Sequence, residues 1–241
     1  MFMGVPGENA VGVFSANEYL TRINLMKAYD FPNYATSPIR AKHVITVGGG
    51  NVAMDSARCA LRTGAKSTVV YRRAREQMPA RDEEIHHAEE EGVVFHLLHN
   101  PTRIVTDDDN RMVGMEVIRM ELGEPDDSGR RRPVPLEGSE YFIEADCCVV
   151  SIGNSPNPLI PQTSPDLDTT RWGTIVADEN TMLTSKPGVF AGGDVVSGAA
   201  TVISAMGQAK IAAEHIHKYV MGIPLKEEEP EGTEQPAETA G

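Results

Sequence analysis

Residues 43–47 (HVITV) form an uninterrupted apolar and β-branched run, the pattern of a short buried strand. From residue 52 to 63 the apolar positions recur at helical spacing, and after Gly64 a second buried-strand pattern covers residues 67–71. The stretch predicts a strand–helix–strand unit. Upstream, residues 13–29 read as a helix, with Phe14, Tyr19, Leu20, Ile23 and Met26 near helical spacing and Ser15 or Asn17 available as a cap. Its apolar stripe is expected to be a docking face. Residues 1–12 hold four glycine and proline residues and predict a connecting segment, and residues 32–38 predict a loop.

Downstream, a turn at Met78-Pro79-Ala80 leads to a polar helix over 81–91 closed by Gly92, then a strand over 93–98. The pattern next changes to short alternating strands at 102–106, 112–122 and 140–143, separated by turn signals at 107–110 and 124–129. Arg130, Arg131 and Arg132 follow Asp126 and Asp127 there and read as a solvated hairpin tip. Residues 145–153 (ADCCVVSIG) predict a buried strand ending in Gly153, 172–177 and 188–191 two further strands, and 200–220 a long helix. Alternating strands and helices around one such unit predict an α/β fold: a parallel sheet with an antiparallel excursion.

The turn between the first strand and helix carries candidate chemistry. Gly48-Gly49-Gly50-Asn51-Val52-Ala53 has G-x-G-x-x-A spacing. Gly48 allows the tight turn, Gly50 removes a side chain where a pyrophosphate approaches the backbone, and Ala53 permits close helix–strand packing. Phosphates would then meet the free N–H groups and positive end of the helix near Asn51. About 20 residues past such glycines, a carboxylate selects NAD and an arginine the 2'-phosphate of NADP. Here stand Arg72, Arg73 and Arg75, so NADPH is expected over NADH. A second strand–turn–helix, Gly192-Gly193-Asp194 before the 200–220 helix, offers another anion-friendly corner with a carboxylate for sugar-like hydroxyls.

Composition narrows the reading. At 241 residues, 40% hydrophobic and 24% charged, the chain suits a soluble globular protein of one or two domains. A net charge of -13 speaks against nucleic acid, and residues 226–241, rich in glutamate and poor in large apolar side chains, predict a disordered acidic tail. Cys59, Cys147 and Cys148 make no C-x-x-C pair and no metal-ligand spacing. Adjacent His86 and His87 diverge by about 100° on a helix, so no metal site is expected. With no signal peptide and no apolar run of transmembrane length, a cytoplasmic protein without a membrane partner is expected.

Together, VGGGNVAMDSAR, VVYRR, QMPAR, EEGVVF, SIGNSPNP and VFAGGDVVSGAATVISAMGQAKIAA resemble the small subunit of NADPH-dependent glutamate synthase and the large subunit of NADH-dependent ferredoxin:NADP oxidoreductase. The resemblance runs to about Pro224 and implies a flavoprotein with two dinucleotide-binding domains. It implies a Rossmann-like three-layer NADPH-binding domain at 41–153, preceded at 1–40 by a crossover segment and helix from an FAD-binding domain. The C-terminal part of that FAD-binding domain would be 154–225. Gly153 ends a strand at the carboxyl edge of the sheet, where ligands sit in such folds, and Gly193 belongs to the second corner; by resemblance Asp194 contacts FAD, and Ala200, Thr201 and Val202 set a helix N-terminus near the flavin. Hydride would pass from NADPH to FAD and electrons on to iron-sulfur partners, either a glutamate synthase large subunit or a ferredoxin-type protein. No catalytic side chain is implied, because the cofactors carry the chemistry.

Two family features have no match: the cysteine-rich cluster domain and the first FAD-binding G-x-G-x-x-G. A truncated chain is therefore expected, one that binds NADPH and holds FAD weakly or not at all. Other readings are a noncatalytic NADP(H)-sensing module and an adrenodoxin-reductase-like enzyme. Thioredoxin reductase is disfavoured by the missing C-x-x-C. Homo-oligomerisation through the 13–29 and 200–220 faces is a further expectation.

Overall fold

The computed structural model describes residues 2–125, 129 and 131–225. The expected acidic tail, and Asp126, Asp127 and Arg130 of the expected hairpin tip, lie outside the described residues. Contacts divide the chain into two compact units, Met1–Gly153 and Asn154–Gly241.

In the first unit, strand β1 (Val13–Ser15) runs into helix α1 (Ala16–Leu20) and a π-turn over Thr21–Leu25. Then come β2 (His43–Val47), α2 (Asn51–Arg62), β3 (Lys66–Tyr71), α3 (Asp82–Glu91) and β4 (Val94–Leu97). The antiparallel excursion is β5 (His99–Thr106), β6 (Met112–Pro125), β7 (Arg131–Pro135) and β8 (Tyr141–Glu144), after which β9 (Cys147–Val150) returns. The strand order β1-β9-β2-β3-β4 makes one five-stranded sheet, parallel throughout. β6 pairs with β5, β7 and β8 in the antiparallel layer.

Successive residues of a strand face opposite sides, and the parallel sheet is apolar on both. Val44, Cys147 and Val149 turn to the helices with Ala16, Tyr19, Ile23 and Ala60, and Val69 and Tyr71 pack with Ala53, Met54, Ala57 and Ile85. Ile45, Val47, Val70 and Cys148 turn the other way, against Ile104, Met112, Met115 and Val117 of the antiparallel layer. The expected three-layer Rossmann-like α/β arrangement with an antiparallel excursion is what forms. α2 and α3 are tied by Arg58, which pairs with Glu84 and Glu91 at 2.8 Å each.

Three expectations need correction. Residues 13–15, expected to be helical, are a strand: Val13, Phe14 and Ser15 pair in register with Cys148, Val149 and Val150. The edge of β9 offers this β-branched and aromatic segment a ladder that its own spacing does not reveal. Ser15 does cap the helix, its Oγ accepting from the Glu18 N–H at 3.2 Å. Second, Arg131 and Arg132 belong to β7 rather than to a hairpin tip, with the Arg131 guanidinium donating to the Gly123 carbonyl at 3.0 Å. Third, in the second unit the strands expected at 172–177 and 188–191 are only isolated bridges, such as Ala177 with Thr184 and Leu183 with Phe190. There the Asp178 carboxylate turns inward to accept from the Asn180 and Thr181 N–H groups, which favours a tight turn over a ladder. The helices of this unit are α4 (Leu159–Thr163), α5 (Asp194–Ser197) and α6 (Val202–Met221). No helix among the described residues is long and apolar enough to cross a membrane.

At the junction of the two sheets, a His96 ring nitrogen lies 2.8 Å from the Tyr141 hydroxyl, and the His96 and His99 rings are 5.6 Å apart. Burial, then His99 and His43, holds the His96 imidazole below its ordinary 6.5. As pH falls the unfolded chain takes up this proton first, so the contribution is full above 6.5 and declines below it. Thermal melts from about pH 8 to about 5 should show Tm falling on the acid side, with a shallower fall in His96→Asn.

Candidate dinucleotide-binding site

β2 is flanked by β9 on one side and β3 on the other, and the chain leaves its carboxyl end at this change of direction. In open α/β sheets such a switch point is where a crevice opens. Ser151 N–H donates to the Val47 carbonyl at 2.8 Å, and Gly48 N–H to the Val70 carbonyl at 3.0 Å. The chain must therefore turn at once between two neighbouring strands.

The three glycines meet this demand differently. Gly48 has φ +141°, and a Cβ on it would sit 2.3 Å from the Ser151 carbonyl oxygen. A Cβ on Gly49 would lie 2.7 Å from the Tyr71 ring. Both are required by the fold. Gly50 is not: its φ is −91°, and the nearest atom to an added Cβ is Pro79 Cγ at 3.9 Å. Neither backbone nor packing explains a glycine there, whereas an approaching pyrophosphate would.

Gly50 caps α2, its carbonyl accepting from Ala53 and Met54. Asn51 and Val52 open the helix, Val52 at 47% exposure, while Ala53 is buried against the sheet. No acidic residue stands in the first turn, so nothing opposes an anion at the positive helix end.

One wall was not seen in the sequence. The segment after β3 folds back so that the Ala80 N–H donates to the Gly49 carbonyl at 3.1 Å and the Arg81 N–H to Asn51 Oδ1 at 2.9 Å. The Tyr71 hydroxyl closes it by donating to the Gln77 carbonyl at 2.6 Å. Its signal in the sequence is the Met78-Pro79-Ala80 turn within QMPAR. Of the arginines, Arg72 is exposed, whereas Arg73 is 5% exposed with its Nε donating to the Arg131 carbonyl at 2.9 Å. Arg75 pairs with Glu89.

In the second unit, Gly193 caps α5, has φ +77° and donates its N–H to Gln208 Oε1. Asp194 is exposed, with Oδ1 accepting from Ala200 N–H at 3.3 Å, and Thr201 caps α6 through Ser204 N–H at 3.2 Å. Val202, the first residue of α6, is 76% exposed. Gly193, Asp194, Ala200, Thr201 and Val202 thus gather at one corner. Gly153 closes the first unit with φ +93°.

The family described as pyridine nucleotide-disulphide oxidoreductase matches residues 1–209. The chain belongs to that family. Among its relatives, the NADP(+)-dependent formate dehydrogenase subunit beta of Moorella thermoacetica is 44% identical over 221 residues, 90% of this chain and 30% of that protein. The glutamate synthase [NADPH] small chain of Azospirillum brasilense is 40% identical over 220 residues, 89% of this chain and 45% of that protein. The chain thus spans less than half the length of either relative. Among solved structures, Mycobacterium tuberculosis FprA in complex with NADPH superposes with a TM-score of 0.72 at 18% identity, over 92% of this chain and 61% of that one, which speaks for the fold alone.

Although this member of the family carries three cysteines, Cys147 and Cys148 face opposite sides of β9 and cannot meet. Burial pushes the Cys147 thiol up to about 12 and Cys148 higher still. All three are free. Cys147 and Cys148 serve as small core hydrophobes, as their apolar context predicts.

The glycines separate fold from binding. Gly48→Ala should cost about 2–4 kcal/mol, read as a lower midpoint in denaturant melts. Gly50→Ala should melt like the parent yet weaken NADPH at least about tenfold by titration.

Proposed function

We propose that this chain is the NADPH-binding portion of a flavin-dependent oxidoreductase like the glutamate synthase small subunit. The observation that carries the reading is the unexplained space at Gly50, beside a helix start without acidic residues and near an exposed Arg72. Gly48, Gly49 and Gly50 form the turn. The N–H groups of Asn51 and Val52 at the start of α2 face the pyrophosphate, and Arg72 faces the 2'-phosphate through charge-assisted hydrogen bonds.

Residues 41–153 are the NADPH domain in this reading, with the crossover residues 1–40 lending β1 to its sheet. Residues 154–225 are the C-terminal part of an FAD-binding domain, in which Gly193, Asp194, Ala200, Thr201 and Val202 hold flavin. The gathering of Gly193, Asp194, Ala200 and Thr201 at the start of α6 supports that assignment. The chemistry that the bound cofactors supply is hydride transfer from nicotinamide to flavin. The protein's own groups bind and orient, and none has to act as a general acid or base.

The names of the relatives, a subunit beta and a small chain, support membership of a larger assembly, in which electrons pass on to an iron-sulfur partner. A glutamate synthase large subunit or a ferredoxin-type protein is the partner class, and the cytoplasm the compartment. Titration of the chain should show NADPH bound roughly tenfold or more tighter than NADH. NADPH oxidation by an artificial acceptor should require added FAD, which is taken up weakly. Equal affinity for the two dinucleotides would remove the 2'-phosphate assignment, and oxidation equally slow with and without FAD would favour an NADP(H)-sensing module.

A further inference from the structure

The segment from Arg72 to Arg81 carries four arginines, and they do not share one fate. Arg73 is buried, and its guanidinium reaches across to the backbone of β7 at Arg131. Its own carbonyl accepts from Leu98 N–H at 3.1 Å, and the Leu98 carbonyl accepts from Met120 N–H at 2.7 Å. These contacts stitch the tip of β3 to the antiparallel layer. Arg75 is committed to Glu89. Arg72 and Arg81 are both exposed, and no ion pair holds either one among the described residues.

Those two stand at matching places. Arg72 directly follows Tyr71, whose ring lies against Gly49, and Arg81 directly follows Ala80, whose N–H is bonded to the Gly49 carbonyl. The loop is thus pinched at its neck onto the middle glycine of the turn, with one exposed guanidinium on each strand of the neck. Asn51 Oδ1 fixes the Arg81 backbone from the first residue of α2.

Building on the dinucleotide reading above, we infer that Arg81 is a specificity-determining residue for the 2'-phosphate, paired with Arg72 across the neck of this loop, and that Arg73 anchors the β7 hairpin instead of touching ligand. Arg72 is turned to solvent while the buried Arg73 guanidinium is held at the Arg131 carbonyl, so the two cannot both reach one phosphate without breaking the anchor. Guanidinium forks from two directions suit a phosphate, which presents several acceptor oxygens. The adenosine 2'-hydroxyl of NAD+ offers no charge to either arginine, so their removal changes discrimination and leaves general affinity alone.

The test titrates the 241-residue chain with NADP+ and separately with NAD+. Arg81→Ala should weaken NADP+ roughly tenfold and leave NAD+ within about twofold, as should Arg72→Ala. Arg73→Lys, which keeps the charge but loses the planar donor, should hold the NADP+/NAD+ ratio and lower Tm by about 2–6 °C. A ratio that Arg81→Ala does not move, or that collapses in Arg73→Lys at unchanged Tm, overturns the assignment. A parent chain that binds neither dinucleotide overturns the underlying reading as well, and the parent titration tells that failure apart from the others.

Discussion

The crowding of Gly48 against Ser151 is the constraint on which the first unit depends. β2 is bonded on one side to β9 and on the other to β3 up to its last residue, so its chain has no room to drift before turning. Only a residue without Cβ fits at φ +141° with a carbonyl oxygen so close. That turn sets the start of α2 at Asn51, the distance of α2 from the sheet through the buried Ala53, and the crevice at the carboxyl end of the strands.

Charge is distributed around this corner in a way that follows from helix polarity. α2, whose start faces the crevice, has no carboxylate in its first turn, whereas α3 begins Asp82-Glu83-Glu84. Acidic residues at a helix start stabilise it by about 0.3–1 kcal/mol, so their absence from α2 forgoes a contribution that α3 accepts. Such an omission is what a helix end reserved for an anion requires. The acidic groups near α2 are instead used further along, where Glu84 and Glu91 hold Arg58.

Membership of the pyridine nucleotide-disulphide oxidoreductases tells less about this chain than the geometry does. The cysteines sit back to back in β9 or alone on α2, so the dithiol chemistry in the family's description has no counterpart among them. What the chain itself presents is the frame: a parallel sheet, a glycine corner, and a second corner at Asp194 beside the start of α6.

The glycine spacing, the strand–helix–strand unit and the antiparallel excursion were legible in the sequence because each is encoded by neighbours: a period of two or of 3.6, a glycine where φ turns positive. Gly48 and Gly50 looked alike at that level. Only their surroundings separate a glycine demanded by Ser151 from one that packing leaves unexplained. The same holds for residues 13–15, whose spacing suited a helix until the edge of β9 offered a ladder, and for Arg72 and Arg73, one turned outward and one carried under β7. Local pattern determines which backbone a segment prefers. Which hydrogen-bonding edge it meets, and which of two adjacent side chains remains in water, is decided by parts of the chain far away in sequence.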